Sequence, residues 1–97
     1  MRFEIILAPQ AIEDRSRLRA FDRAAVDEAM ELHLRQEPGK VSKSRIKRLR
    51  GLRRPQYRLR VNDLRVFYDV AGKEVQVLGI VLKADAEEWL KAIGESQ

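Results

Sequence analysis

The chain contains no cysteine and a single histidine, His33. Disulfide staples and thiolate metal sites are therefore excluded, and one imidazole cannot build a histidine cluster. Long apolar runs are missing too. The N-terminal stretch MRFEIILAPQ is too short for a signal peptide or a membrane span, and no other segment approaches the required length. The expectation is a soluble, cytoplasmic protein with no membrane contact and no metal or other cofactor.

A further absence is local. Between Pro38 and Asn62 there is no carboxylate, yet this quarter of the chain holds 10 of the 20 basic residues: Lys40, Lys43, Arg45, Lys47, Arg48, Arg50, Arg53, Arg54, Arg58 and Arg60. Both flanks are net acidic, with six basic and eight acidic groups in residues 1–37 and four basic and seven acidic in residues 63–97. A solvated surface run is the plain reading of such a segment. Its arginine content and its continuation into strands, where side-chain direction is fixed, favour a site for a polyanion or an acidic partner. With 97 residues the chain makes one domain, residues 1–97, close to the size at which a single core becomes marginal.

Residues 2–7, RFEIIL, alternate and are rich in β-formers, which predicts a first strand. Pro9 opens a helix whose apolar face is Ala8, Ala11, Ile12 and Leu18. Asp22 is a candidate N-cap for a second helix over 23–36, with Phe21, Ala25, Val26, Ala29, Met30 and Leu32 on its buried side. The two helices form an αα-hairpin. His33 lies beside that stripe and reads as a packed or rim side chain rather than a catalyst. Residues 38–55 read as a basic connection anchored by Ile46, Leu49 and Leu52. QYRLRV and LRVFYDV then form two strands around an Asn62–Asp63 turn, and EVQVLGIVL at 74–82 forms a covered central strand. DAEEWLKAIG closes the chain with a short helix, Asp85 and Glu88 at capping-box spacing and Gly94 as its stop. The fold class is α+β: an N-terminal strand, a helical hairpin, a three-stranded antiparallel meander completing the sheet, and a C-terminal helix.

The turn sets a register in which Val61 faces Leu64, Arg60 faces Arg65, Leu59 faces Val66, Arg58 faces Phe67 and Tyr57 faces Tyr68. Alternation then separates a core face (Tyr57, Leu59, Val61, Leu64, Val66, Tyr68, Val70) from a face carrying Gln56, Arg58, Arg60, Arg65, Phe67 and Asp69. A second turn at Gly72 and Lys73 adds Leu78 and Ile80 to the arginine face. Opposed arginines destabilise a hairpin, so the arrangement makes sense if an anion sits between them. Phe67 either stacks on a base or joins a second small core with Leu78 and Ile80 beneath the C-terminal helix or a partner.

The order of elements, with RLRG shortly before YRLRV and LRVFYDV after a tight turn, resembles the RelE/ParE superfamily of toxins from bacterial type II toxin–antitoxin systems. The resemblance covers nearly the whole chain and is strongest over residues 48–70. In its RelE-like branch it implies a ribosome-dependent mRNA endoribonuclease that blocks translation. The implied partners are a cognate acidic antitoxin, the ribosome and mRNA, and operator DNA only through the antitoxin complex. A ParE-like gyrase inhibitor, and a degenerate member confined to antitoxin binding and operon regulation, are the alternatives.

The resemblance also implies residue roles. Arg58 and Arg60 match the paired basic residues of the strand after LRG, and Arg65 matches the phosphate-binding arginine of the next strand. RNA contacts are expected from Lys43, Arg45, Lys47, Arg48, Arg50, Arg53, Arg54 and Phe67. Attack by the 2′-hydroxyl needs no metal, only a proton acceptor, a proton donor and cations around the phosphorane. The chain departs from RelE-like toxins in lacking a further arginine and a tyrosine after the last strand. Lys83 is the cation nearest that place, and it completes the candidate catalytic set with the three arginines.

Overall fold

A computed structural model describes residues 2–96. The first strand, β1 (Glu4–Leu7), leads into helices α1 (Pro9–Ser16) and α2 (Ala20–Leu34). Strands β2 (Ile46–Arg48) and β3 (Leu52–Arg54) follow, then β4 (Tyr57–Val61), β5 (Leu64–Ala71) and β6 (Glu74–Leu82). A 3₁₀ turn at Lys83–Asp85 precedes α3 (Ala86–Ile93), and β7 (Glu95–Ser96) ends the described chain. Five strands form one mixed sheet in the order β1-β6-β5-β4-β2, with β1 parallel to β6 and the other pairs antiparallel. The α+β architecture and the β4–β5–β6 meander are those read from the sequence.

The connection expected over 38–55 contains two strands. Ile46 pairs with Leu59 and Lys47 with Arg58, so β2 extends the sheet beyond β4. β3 forms a separate two-stranded ribbon with β7, which ties the C-terminal segment back to the basic run. Three-residue strands carry too little alternation to be seen in a sequence, and their pairing partners are remote.

The two helices lie against one sheet face and enclose a core of Ala11, Val26, Ala29, Met30, Leu34, Leu59, Val61, Leu64, Val66, Tyr68, Val75, Val77 and Ile80. α2 starts earlier than expected, with Arg19 rather than Asp22 at the N-cap position. Asp22 instead places its charge in the first turn, where the helix dipole favours it. The buried stripe runs through Val26, Met30 and Leu34, and this phase leaves Phe21 74% and Leu32 68% exposed. Asp85 occupies the N-cap of α3 without a side-chain capping hydrogen bond.

The β4–β5 register is the expected one in all five pairs, with Asn62 at φ 54° in the turn. In β5–β6 the expected register holds from Ala71–Glu74 to Tyr68–Val77 and then shifts by one residue between Phe67 and Tyr68. Phe67 therefore pairs with Gly79, and Val66 pairs with Ile80. This bulge corrects the arginine-face platform: Ile80 turns into the core, because one inserted residue inverts every later side chain. β1 pairs only as far as Val77, and beyond it the Asp14 carboxylate of α1 accepts the Ile80 N–H at 3.0 Å.

Candidate functional site

The face opposite the helices gathers cations from three adjacent strands. Lys47 of β2 is paired with Arg58 of β4, and Arg60 of β4 with Arg65 of β5. Among the described residues no carboxylate forms an ion pair with Lys47, Arg58, Arg60 or Arg65. Arg65 is only 7% exposed, and its guanidinium donates to the Asn62 and Leu64 carbonyls, both at 2.9 Å. Arg58 is half-buried, and its buried Nε has no hydrogen-bond partner among the described residues. Burial, then the charges of Arg65 and Arg60, hold Arg58 below the usual guanidinium range. Burial and Arg60 lower Arg65 likewise, against the opposing pull of Asp63. A buried donor left unpaired and three cations in mutual repulsion describe a site that an anion would relieve on every count.

The rest of the basic run divides. Arg53 is paired with Glu95 at 2.6 Å, and Arg54 Nε donates to Asp69 at 2.7 Å. Asp69, 4% exposed, also accepts the Gln56 N–H at 2.7 Å, so it is satisfied inside the fold. Arg48 is paired with Tyr57, on the other side of the pleat from Lys47, and its guanidinium lies 5.1 Å from the Tyr57 ring centre. Lys43 and Arg50 are exposed on the segments flanking β2. Arg45 precedes β2, and its carbonyl accepts the Arg60 N–H at 2.9 Å. The structure thus brings Arg58, Arg60, Arg65 and Lys47 together, with Arg45 at their edge, and turns Arg48, Arg53 and Arg54 to internal partners.

Phe67 needs correcting as a base-stacking residue. It is 1% exposed and lies flat against Trp89 of α3, with ring centres 4.8 Å apart and planes within 9°. Base stacking requires a free ring face, and Trp89 covers it. The close approach rests on Gly79, where an added Cβ would come within 2.5 Å of the Trp89 ring. Of the two readings of Phe67, a second small core beneath the C-terminal helix is the one that holds. A glycine amid the apolar run of β6 was the available signal, since strand glycines mark close approaches.

Lys83 lies beyond the sheet end, where its N–H donates to the Asp63 carbonyl at 2.7 Å. Lys83 and Asp63 line a common cavity of about 450 Å³ with Leu82 and Ala84. Asp63, first read only as a turn residue, thus shares that cavity with Lys83, and its negative charge acts on the Arg65 guanidinium. Tyr68, by contrast, is unsuited to proton transfer: burial pushes its phenol well up, and its hydroxyl donates to the Pro38 carbonyl at 2.6 Å.

No protein-family model and no curated protein sequence matches the chain. Solved structures do. A chain of the archaeal RelE–RelB complex from Pyrococcus horikoshii OT3 aligns at a TM-score of 0.70 and 23% identity, covering 86% of this chain and 97% of that one. Toxin RelE from E. coli, solved free as a doubly substituted variant, aligns at 0.70 and 18% identity over 96% of this chain and 99% of its own. A chain of the toxin–antitoxin complex RelBE2 from Mycobacterium tuberculosis aligns at 0.64 and 22% identity, covering 84% and 99%. The fold is therefore that of the RelE toxins. On this fold the sheet face carries Arg58, Arg60 and Arg65 without a carboxylate partner among the described residues, and the C-terminal helix sets Trp89 over Phe67.

Proposed function

We propose that the protein is the toxin of a type II toxin–antitoxin pair and that it acts on mRNA at the ribosome. The observation that carries this reading is the cluster of Arg58, Arg60 and Arg65 on one sheet face, none of which has a carboxylate partner among the described residues. Such a cluster fits a phosphodiester, and the guanidinium groups suit the charge that builds on its oxygens in the phosphorane. In cleavage, the 2′-hydroxyl attacks the adjacent phosphorus and its proton passes to the Asp63 carboxylate. The 5′-oxygen leaves with a proton from Lys83, and the products are a 2′,3′-cyclic phosphate and a 5′-hydroxyl. No water or metal is consumed.

The partner is an acidic antitoxin that neutralises the same arginines. Its apolar anchors must be sought away from Phe67 and Ile80, which the fold already covers. A second reading, an antitoxin-binding regulator without catalysis, is favoured by the burial of Arg65 and by the missing arginine and tyrosine after the last strand. Mapping transcript ends after induced expression separates the two. New ends within codons, lost in Arg58→Ala, support cleavage; arrested amino-acid incorporation without new ends leaves a binding toxin; DNA synthesis failing first points to gyrase instead.

A further inference from the structure

Around the open edge of β2 lies a second cationic recess that the arginine face does not include. It is a cavity of about 280 Å³ between the end of α2 and the following loop, lined by Leu32, His33, Gln36, Glu37, Lys40, Ser42, Arg45 and Ile46. Arg45 also lines a neighbouring cavity of about 210 Å³ with Ser44, Arg60 and Asn62. One arginine therefore borders both the recess and Arg60 of the sheet face. Its position is fixed by a tight turn, in which the Ser42 hydroxyl accepts the Arg45 and Ile46 N–H groups at 3.1 and 3.2 Å and the Ser42 N–H donates to the Ile46 carbonyl at 2.9 Å. The recess has one carboxylate, Glu37, which lies 3.8 Å from the Lys40 ammonium. Against it stand Lys40, Arg45 and the imidazole of His33.

We propose that this recess is a second phosphate site, which takes the RNA backbone as it leaves the arginine face around the edge of β2, with Arg45 as the bridging cation and Lys40 and His33 as its inner contacts. The proposal rests on the reading of the arginine face as an RNA site and adds its direction: the chain passes from Arg58 and Arg65 over Arg60 and Arg45 towards α2. His33 adds a pH dependence. Burial and then Arg45 hold its imidazole below its ordinary range, and a phosphate in the recess opposes both effects by favouring the cation. Glu37, Lys40 and Arg45 are the other charged groups lining the recess.

The test uses the intact protein and two uncleavable probes, a 2′-O-methyl uridine dinucleotide and a long 2′-O-methyl oligouridylate, with affinity followed against salt. The wild type should bind both, with a steeper salt dependence for the long probe. Replacing Lys40→Ala and His33→Gln together should lower the slope of log affinity against log salt for the long probe by about 0.7, the value of one phosphate on a single strand, and leave the dinucleotide unchanged. The long probe's advantage should also grow on acidification in the wild type and not in His33→Gln. Equal slopes for the two probes in the wild type, or a double variant without effect on the long one, overturn the second site and leave the arginine face standing. Failure of the wild type to bind either probe overturns both.

Discussion

Arg53 and Arg60 lie seven positions apart in the same basic run, both on exposed strand positions, and they end in opposite circumstances. Arg53 meets Glu95 at 2.6 Å, and its neighbour Arg54 meets Asp69 at 2.7 Å. Arg60 meets Arg65, and Arg58 has a buried nitrogen with no partner among the described residues. Each of these two pairs carries the same charge; what differs is whether the fold returns an acidic residue to meet it. Arg53 and Arg54 hold down β7 and the start of β4, whereas Arg58 and Arg60 are left open to an outside anion.

The largest effect is expected from Arg58→Ala combined with Arg60→Ala. Loss of a preorganised charge-stabilising donor costs about a hundredfold or more in rate, so inhibition of translation in a cell-free assay should nearly vanish while the far-UV spectrum stays native. Arg65 does not belong in that variant. Its buried guanidinium donates to two carbonyls, so Arg65→Ala should cost stability as well as activity, contrary to what the opposed-arginine pairing alone suggests. Leu59, fully buried on the helix side of β4, provides the opposite pattern. Leu59→Ala should lose about 2–5 kcal/mol in denaturant titration.

A smaller loss is expected for Asp69→Ala. It leaves the Gln56 N–H without its acceptor and frees Arg54, which is half-exposed and can return to water. About 1–3 kcal/mol is the expected cost, again by denaturant titration. The smallest effect concerns pH. With the His33 pKa lowered in the folded chain, the unfolded chain takes up a proton first as pH falls through about 6.5, so stability declines on acidification. Asp27, Glu31 and Glu95, also lowered in the folded state, lose their contribution only nearer pH 4, about where unfolded carboxylates titrate. Thermal melts of wild type and His33→Gln should therefore converge in slope between about pH 5.5 and pH 7.5 only if His33 is not the source of the decline.

The register of the first hairpin was legible because a two-residue turn fixes it and alternation does the rest. The same reasoning failed one strand later, where a single bulged residue moved Ile80 into the core and Gly79 beside Phe67. Gly79, beside the bulge, was a local signal that alternation alone does not weigh. The outward arginines followed from alternation alone, whereas the fates of Arg53 and Arg54 depend on carboxylates 42 and 15 positions away. Asp69 was a partial signal, since a charge in the middle of an apolar strand needs a partner. Phe21 and Leu32 were misplaced because the apolar face was drawn too wide: at 100° per residue both lie well round the helix from the stripe of Val26, Met30 and Leu34.

The division of the basic run is tested most directly by the salt dependence of RNA affinity in two single variants, Arg60→Ala and Arg53→Ala. Both remove one positive charge from an exposed position, and both are expected to fold, since the Arg53–Glu95 pair is exposed and of little energetic weight. Arg60→Ala should lower the slope of log affinity against log salt by about 0.7, the release expected from one phosphate contact on a single strand, and Arg53→Ala should leave it unchanged. Equal losses in the two variants, or a loss confined to Arg53→Ala, would show that total charge rather than the unpaired arginine face holds the RNA.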